Sequence, residues 1–291
     1  MPTLTTSDDG ISKLKEREGS IDGLYDDPSG YGTYGVGHLV HPGNKWKALL
    51  LDSARSDKLC DSRIKKQWPG TQFETPYLER EAMSCADYDK LKTKAKERAC
   101  ETIARATFKK AYADLPDDKK AGLKSSAEAA VDREAQLLNS TVSDTFRQDL
   151  KPFEKAINDS VTVPTLTQSE FDALASFVFN VGVANFKLSG LLTKINENKY
   201  RSGEATDRTK AIGQIENAFL AWNKSAGIEL AGLTKRRQAE ADQFLINARE
   251  ELNSLKAAKD TKGVWLLPPL PKRGTSLASA ALRGVRPDRP V

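Results

Sequence analysis

The feature that most constrains the fold is a densely apolar stretch, LTQSEFDALASFVFNVG, which covers residues 166–182. Thr167, followed three residues later by Glu170, forms a capping box, the pattern that starts many helices. The apolar residues after it are too closely spaced for a surface helix; they are Phe171, Leu174, Ala175, Phe177 and Val178. This stretch therefore predicts a central buried helix, with the other elements packed around it.

The N-terminal residues predict a short helix followed by a small β-hairpin. Ser7 is a favourable N-cap for a helix over 8–18, and Gly19 supplies its stop. Two strand candidates, near 22–26 and 31–36, are joined by DPSG, a strong turn sequence. Such a hairpin has too little apolar surface to be stable alone, so we expect it to pack on other elements.

Residues 45–130 differ in charge from their surroundings, because they carry a net +5 whereas residues 1–44 carry −4. Residues 87–115 are typical of a long basic amphipathic helix, and one side of it consists of Leu91, Ala95, Ala99, Ile103 and Ala106. Residues 66–79, punctuated by Pro and Gly, predict a loop. The basic surplus, with another +5 in residues 246–291, fits either a polyanionic partner or ordinary solvated helix faces.

From about Val131 the sequence predicts almost continuous helix. Beyond the central helix, three more are expected within residues 186–200, 215–227 and 232–255. Residues 247–291 form a tail rich in Pro, Gly and Arg, which is typical of extended or partly disordered chain. Strands are expected in one place only, so the fold class is α+β with helices dominant.

The cysteines and the N-terminus limit which cellular compartment and which metal chemistry we expect for the protein. Cys60, Cys85 and Cys100 lack CxxC spacing and have no histidine nearby, so they predict no zinc site. Two states of the cysteines remain open: one disulfide plus a free thiol, or three reduced thiols. A labile or absent disulfide is preferred. The N-terminus lacks the basic and apolar regions of a signal peptide, and no apolar run reaches the ~18 residues of a membrane span. Synthesis in the cytoplasm is therefore expected.

Carboxylates crowd the stretch EREGSIDGLYDDPSGYGTYGVGH, residues 16–38, just before the hairpin. Glu18 falls in the last helical turn, where the negative end of the helix dipole disfavours an ionised carboxylate and so favours a general acid. A second carboxylate, from Asp26 or Asp27, together with the hydroxyl of Thr33, would suit glycosidic bond hydrolysis. From composition alone, a charged surface hairpin is the simpler explanation.

The same residues resemble the signature of phage-type lysozymes, glycoside hydrolase family 24. Eight residues separate Glu18 from Asp27, and five separate Asp27 from Thr33, as in that family's pattern. The Gly-x-Gly-His run that completes the pattern follows without a gap at residues 35–38. This spacing selects Asp27 over Asp26 as the second carboxylate.

Two further blocks carry the same resemblance. Residues 166–182 and the LLTKIN run at 191–196 resemble the family's central helix and the helix after it. The pattern WNKSAG…GLTKRRQAE, from Trp222 to Glu240, resembles an endolysin motif.

The resemblance covers roughly residues 7–42 and 132–246, and it implies a lysozyme-like fold with a small N-terminal β-hairpin lobe and a helical C-terminal lobe. We therefore expect a catalytic domain over 1–246, interrupted by a basic, mostly helical insertion at 45–130. The tail at 247–291 lies outside it.

The resemblance also implies the roles of three residues. Glu18 would be the general acid that protonates the leaving oxygen, Asp27 would orient or activate the attacking water, and Thr33 would hold that water. Room for a water between the carboxylates implies inversion, with a separation of roughly 6.5–9.5 Å. The implied substrate is the β-1,4 bond between N-acetylmuramic acid and N-acetylglucosamine in peptidoglycan. No metal or cofactor is implied.

Four further residues are candidate substrate contacts. Leu39, Phe179 and Ser189 align with positions that line the family's sugar cleft, although core or helix-surface roles explain them equally well. Asn180 suits either a hydrogen bond to an N-acetyl group or a helix cap.

Four other residues are expected to be structural. His38 is expected to stabilise the hairpin rather than to react, and Trp222 to lie in the core. Arg236 and Arg237 are expected to pair with acids or helix ends of the bundle.

Three rival functions differ in chemistry. A lytic transglycosylase also uses a Glu acid, but it needs no attacking water, which Asp27 and Thr33 argue against. A non-catalytic peptidoglycan-binding part of a phage tail or secretion device is the second rival. Nucleic-acid binding through residues 90–110, with eight Lys or Arg against two Glu, lacks aromatic interleaving or a recognition motif and is disfavoured.

Two alternative routes by which the protein reaches the cell wall are expected. One is a phage endolysin released through holin lesions; the other is an antibacterial effector of a contractile, type VI-like secretion system. Both act on the periplasmic cell wall. The second implies a carrier protein and a cognate immunity protein as partners, and in either case we expect a monomer without a membrane span.

Overall fold

The computed structural model describes residues 3–57, 64–66 and 76–262, so Cys60 and the tail beyond residue 262 lie outside it. The elements in chain order are α1 (Asp8–Glu18), β1 (Ile21–Asp26), β2 (Gly32–Gly35), β3 (His38–Leu39), α2 (Leu49–Ser56), β4 (Ile64–Lys66), β5 (Pro76–Leu78), α3 (Cys85–Phe108), α4 (Asp117–Leu138), α5 (Val142–Ser160), α6 (Gln168–Val181), α7 (Val183–Lys187), α8 (Gly190–Asn196), α9 (Ala205–Leu220), β6 (Lys224–Ser225), β7 (Ile228–Glu229) and α10 (Ala231–Lys262). Short 3₁₀ turns at Arg80–Ala82 and Tyr112–Asp114 flank α3. The predicted α+β class, with helices dominant, is confirmed. Within the described ranges, no helix combines the length and apolar character that crossing a membrane requires.

The N-terminal helix and hairpin are confirmed as predicted. The Ser7 hydroxyl accepts a hydrogen bond from the Gly10 amide and so caps α1. Gly19 ends the helix with φ +80°, a conformation that side chains other than that of glycine rarely allow. β1 and β2 then pair in antiparallel register, with Tyr25 opposite Thr33.

The hairpin is the centre of a larger antiparallel sheet than the sequence indicated. The strand order is β3-β2-β1-β5-β4, so two strands come from the 45–130 segment. The loop predicted over 66–79 is therefore wrong at Pro76–Leu78, which form β5. A Cβ built on Gly23 would lie 2.3 Å from the Leu78 carbonyl oxygen, so glycine is what lets β5 approach β1 this closely.

The basic segment contributes two long helices, α3 and α4. Leu91, Ala95, Ala99 and Ile103 of α3 are buried as predicted, but Ala106 is exposed and Ala104 is buried instead. The helical period places Ala106 on the same side as Leu91 and Ala99, but Ala106 falls in the last turn of α3, which ends at Phe108, and residues 105–110 there are exposed. Helix α4 runs without interruption past residue 130, so the boundary expected there lies inside a helix. Cys85 is an exposed free thiol and Cys100 a buried one.

A buried carboxylate fixes this segment to the hairpin. Glu134 of α4 is fully buried, and it accepts hydrogen bonds from the amides of Leu49 and Leu50 at the start of α2. His41, just after β3, lies 2.7 Å from the same carboxylate through Nε2. Because the first amides of a helix have no partner within it, Glu134 acts as their cap in place of a local side chain.

Two apolar clusters make up the core, and α5 connects them. Leu150 of α5 belongs to the cluster formed by the sheet and α1–α4, and Ile157 belongs to the cluster around α6–α10. Phe153, between them, packs against both. The C-terminal cluster surrounds α6, whose residues 170–178 are all buried, so the predicted central helix and its capping box are confirmed.

Four C-terminal expectations need correction. The tail expected from residue 247 begins later, because α10 runs without a break to Lys262. The helix predicted over 186–200 is two short helices, α7 and α8. Ser189 lies between them and caps the second. The helix predicted over 215–227 begins earlier and ends at Leu220. Residues 224–229 form a second small hairpin, so strands are not confined to one place. Gly227, with φ +81°, supplies the turn that a helix could not contain.

Candidate active site

Glu18 is placed by the anchoring of α1 to the central helix. The Ser7 hydroxyl that caps α1 also donates a 2.5 Å hydrogen bond to Asp172 of α6, and the Ser7 amide donates to the same carboxylate. Near the other end of α1, Arg17 donates to the hydroxyl of Ser176, also on α6. Both ends of α1 are therefore fixed to α6, and Glu18 is its last residue.

Arg236 of α10 contacts Glu18 directly. Its Nη1 donates to Glu18 Oε1 at 2.7 Å, and its Nε donates to Glu240 at 3.0 Å. Its Nη2 donates to the carbonyl oxygen of Ser176. The helix end disfavours a negative charge on Glu18, whereas this guanidinium favours one, so the two influences oppose each other. The expected pairing of Arg236 with acids of the bundle is confirmed.

Arg236 is hydrogen-bonded to a buried charge cluster that Glu240 and Arg237 form. Glu240 and Arg237 are both fully buried, with Arg237 Nε 2.9 Å from Glu240 Oε2. The Ser176 hydroxyl donates to Glu240 at 2.6 Å, and the Arg237 guanidinium lies 5.0 Å from the centre of the Phe177 ring. Burial lowers the pKa of Arg237, and the Glu240 carboxylate counteracts this shift. Glu240 therefore supplies the countercharge on which a buried guanidinium depends.

Asp27 and Thr33 meet at the turn of the hairpin. The Asp27 amide and the Thr33 hydroxyl both donate to the carbonyl oxygen of Tyr31, at 2.9 and 3.1 Å. Asp27 Oδ1 accepts from the amides of Ser29 and Tyr31, which fixes its carboxylate in the turn. Glu18, in contrast, forms no hydrogen bond with either residue among the described contacts; its partner is Arg236.

Asp26 has a different environment from its neighbour. One of its oxygens accepts from the Ala48 amide and the other from Arg55 Nη1, at 2.9 and 2.8 Å. Its side chain is only 14% exposed. Asp26 therefore joins β1 to the start of α2 and the 45–130 segment, while Asp27 stays at the turn, as the alternation of side chains along a strand requires.

Asp26→Ala is expected to lower the free energy of unfolding by about 1–3 kcal/mol, because it leaves the Ala48 amide and Arg55 without their partner. Thermal unfolding would measure this loss. Wall hydrolysis, assayed well below the melting temperature, is expected to continue at the rate of the unmodified chain. Loss of hydrolysis with unchanged stability would mean that Asp26, not Asp27, is the functional carboxylate.

Two residues after β2 flank the hairpin. His38 Nδ1 lies 2.9 Å from Asp149 of α5, which fits the structural role expected for His38. Leu39 pairs with Thr33 across β2 and β3, and it is 37% exposed. Leu39 thus presents an apolar side chain beside Thr33, where a sugar contact was predicted.

The other predicted substrate contacts have structural partners. Phe179 is half-buried, with its ring edge-to-face against Phe146 and Phe153. Ser189 is buried, and its hydroxyl accepts from the Leu192 amide as the cap of α8. These contacts favour the packing and capping explanations, and a sugar contact by either residue stays a prediction.

Asn180 and Trp222 lie near the buried charge cluster. Asn180 is exposed, and its Oδ1 accepts from Arg237 at 3.0 Å. This leaves the amide nitrogen of its side chain for a predicted N-acetyl contact. Trp222 packs edge-to-face on Phe177 within the C-terminal core, as expected.

Two structural acids escaped the sequence analysis. Nothing in the sequence around Glu134 distinguishes it from the solvated acids of α4, because its partners, His41 and the start of α2, are distant in sequence. Glu240 had a signal: it follows Arg236 and Arg237 by four and three residues, the helical spacings that pair side chains.

The residues at the end of α1 and in the hairpin are those of a carboxylate pair with a hydroxyl, a set suited to glycosidic bond hydrolysis. A family model described as phage lysozyme matches residues 107–240, beginning inside the 45–130 segment. The endolysin of Bacillus phage B103 is 33% identical over 140 residues, 47% of this chain and 46% of that protein. The endolysin of Salmonella phage P22 is 35% identical over 103 residues, 35% of this chain and 61% of that protein. The chain is therefore similar to phage-type lysozymes and endolysins over these stretches, in agreement with the resemblance seen in its sequence. The family match does not include residues 16–38.

The extent of these matches is limited. The chain spans about half to three fifths of the length of these two relatives. A crystal structure of a P22 lysozyme variant covers 83% of this chain and 99% of its own, with 21% identity and a TM-score of 0.42. The muramidase domain of SpmX from Asticaccaulis excentricus covers 83% and 97%, with 20% identity and a TM-score of 0.41. TM-scores this low do not establish a shared fold.

Proposed function

We propose that the protein is a peptidoglycan muramidase that cleaves the β-1,4 bond between N-acetylmuramic acid and N-acetylglucosamine with inversion. Glu18 protonates the leaving oxygen, Asp27 activates the attacking water and Thr33 holds it. The observation that carries this proposal is the convergence of Asp27 and Thr33 on the carbonyl of Tyr31, directly after the helix that ends at Glu18. Kinship with phage lysozymes supports it.

Arg236 sets a requirement on the proposed mechanism. A carboxyl that donates a proton must carry one, and the ion pair with Arg236 stabilises the ionised form. In our proposal the Glu18 side chain therefore turns away from Arg236 when the sugar binds. The guanidinium is planar and rigid, and Glu240 and the Ser176 carbonyl hold it through Nε and Nη2, so Arg236 and the buried cluster stay in place while Glu18 moves.

The products are expected to distinguish hydrolysis from its closest rival. Digestion of purified peptidoglycan, followed by mass analysis, should give fragments with hydrated reducing ends, because a positioned water attacks the sugar. Proton NMR of fresh product should show the α-anomer first, as inversion of a β-linkage requires. Anhydro ends would instead identify a lytic transglycosylase, and intact wall would leave a non-catalytic wall-binding role.

The basic segment fits wall binding better than nucleic-acid binding. Four of the eight cations in residues 90–110 are in salt bridges with carboxylates of the protein: Lys94, Lys96, Arg98 and Arg105. Their charge is partly neutralised by the protein itself. We propose that the part of this segment before residue 107, where the family match begins, increases contact with the wall or a carrier.

The proposed site of action is the periplasmic wall, with the protein acting as a monomer. Delivery as a phage endolysin or as a secreted effector with a carrier and an immunity protein are the two proposed routes. Co-purification with a dedicated inhibitor from the producing cell would favour the effector.

A further inference from the structure

A groove of about 530 Å³ lies between the end of α3, the first half of α4 and the chain after β3. Two aromatic residues line it: Trp46, which is half-buried, and Phe108, which is 40% exposed. Its polar lining consists of Asn44, Thr107, Asp118, Lys119 and Ser126. None of the predicted catalytic or substrate-binding residues lines this groove, so it is separate from the candidate active site.

The lining has the chemistry of a sugar site. A pyranose ring has an apolar face of C–H groups and a rim of hydroxyls, so it is bound best by aromatic surface next to hydrogen-bonding side chains. The groove offers both, since amide and hydroxyl groups can donate and accept around the two aromatic rings. Its volume is also within the range of ordinary ligand pockets, roughly 300–1,000 Å³.

The charged lining of the groove is balanced, with one carboxylate, Asp118, and one ammonium group, Lys119. Lysines stand next to both aromatic residues in the sequence: Lys45 and Lys47 beside Trp46, Lys109 and Lys110 beside Phe108. All four are exposed, and no carboxylate among the described residues forms a salt bridge with any of them. Two of them have other partners: Lys45 Nζ lies 5.5 Å from the centre of the Tyr31 ring, and Lys109 Nζ donates to the Ala106 carbonyl oxygen. The ligand is therefore recognised through its sugar rings rather than through its charge.

A backbone hydrogen bond joins the segment that lines the groove to the candidate catalytic strand. The Trp46 carbonyl accepts a 2.7 Å hydrogen bond from the amide of Gly32, the residue before Thr33. A Cβ on Gly32 would lie 3.0 Å from the Ala48 amide nitrogen, so the two segments are in close contact. A glycan bound at the groove therefore lies along the same segment that supports the hairpin.

Gly122 lines the groove without adding a side chain to it. It is exposed in the first half of α4, where glycine weakens a helix by about 1 kcal/mol relative to alanine. A Cβ built there meets no atom within 4 Å. A large side chain at this position can therefore enter the groove without disturbing the helix.

We propose that this groove is a second glycan-binding site, which holds a sugar chain of the wall while the candidate active site cleaves it. The proposal rests on the proposed function for the identity of the ligand. It gives the 45–130 segment a specific role, which is to bind the polymer on which the enzyme acts.

The test measures binding of the full chain to insoluble peptidoglycan in a Glu18→Gln background, so that the ligand is not digested. Phe108→Ala and Gly122→Trp are each expected to weaken binding about five- to tenfold, through loss of one aromatic face or filling of the groove. Leu255→Ala, which removes a comparably exposed apolar side chain from α10, is the matched control and should bind as before.

Two further arms make the assignment decisive. With glycan chains stripped of their stem peptides, the effect of both groove variants should persist; if it vanishes, the groove binds peptide and the proposal is wrong. Equal binding by both variants and the control would overturn it as well. The catalytic proposal fails separately: a Glu18-containing chain that binds the wall through the groove but releases no fragments would refute hydrolysis and retain the binding site.

Discussion

Glu18→Gln is expected to lower the rate of peptidoglycan hydrolysis by about 10²–10⁴-fold, the usual contribution of a general acid. The amide keeps the size of the side chain and its place at the end of α1, but it has no proton of suitable acidity to give to the leaving oxygen. Release of reducing ends from purified peptidoglycan, measured against enzyme concentration, gives the rate directly.

Glu16→Gln is the control for this experiment. Glu16 is an exposed acid on the same helix, two residues earlier, and it therefore points to a different side. The Glu16→Gln variant should hydrolyse the wall at the rate of the unmodified chain. Stability should change by no more than about 1 kcal/mol in the Glu18 variant, because the lost ion pair with Arg236 is partly exposed. A Glu18→Gln variant that keeps full activity would remove Glu18 from the mechanism.

The parts of the fold that were predictable are those encoded by neighbouring residues. Ser7 and Gly19 delimit α1, and the Thr167–Glu170 box starts α6, because a cap needs only the residues within one turn of it. DPSG likewise sets the hairpin. Such signals are local, so they are readable before any tertiary contact is known.

The sheet extension was not predictable for the opposite reason. β5 pairs with β1 although some fifty residues separate them, and neither Gly23 nor Leu78 indicates its partner. Glu134 likewise has its partners about ninety residues away. Contacts of this kind depend on the complete fold, which single-residue patterns do not encode.

The candidate site divides in the same way. The spacing of Glu18, Asp27 and Thr33 lies within one supersecondary unit, so the residue set could be proposed from the sequence. Arg236, however, reaches Glu18 across 218 residues, and this contact changes the expected electrostatics of the acid. The helix-end argument used only the helix on which Glu18 lies.

The largest effect on stability is expected from a substitution in the buried cluster of Glu240 and Arg237. Glu240→Leu should lower the free energy of unfolding by about 3–5 kcal/mol, because it leaves the fully buried Arg237 without a countercharge. With a urea dependence near the upper end of the usual range, this shifts the unfolding midpoint by about 1–2 M. Glu250→Leu, at an exposed position of the same helix, should change stability by about 0.5 kcal/mol or less.

The double variant Arg237→Met/Glu240→Leu separates the two components of that cost. A buried ion pair has to offset the desolvation of both charges, so its replacement by apolar side chains of similar volume is often nearly neutral. The double variant should therefore be more stable than Glu240→Leu alone. A double variant no more stable than Glu240→Leu would show that Glu240 acts through Ser176 and Arg236, and not as the countercharge of Arg237.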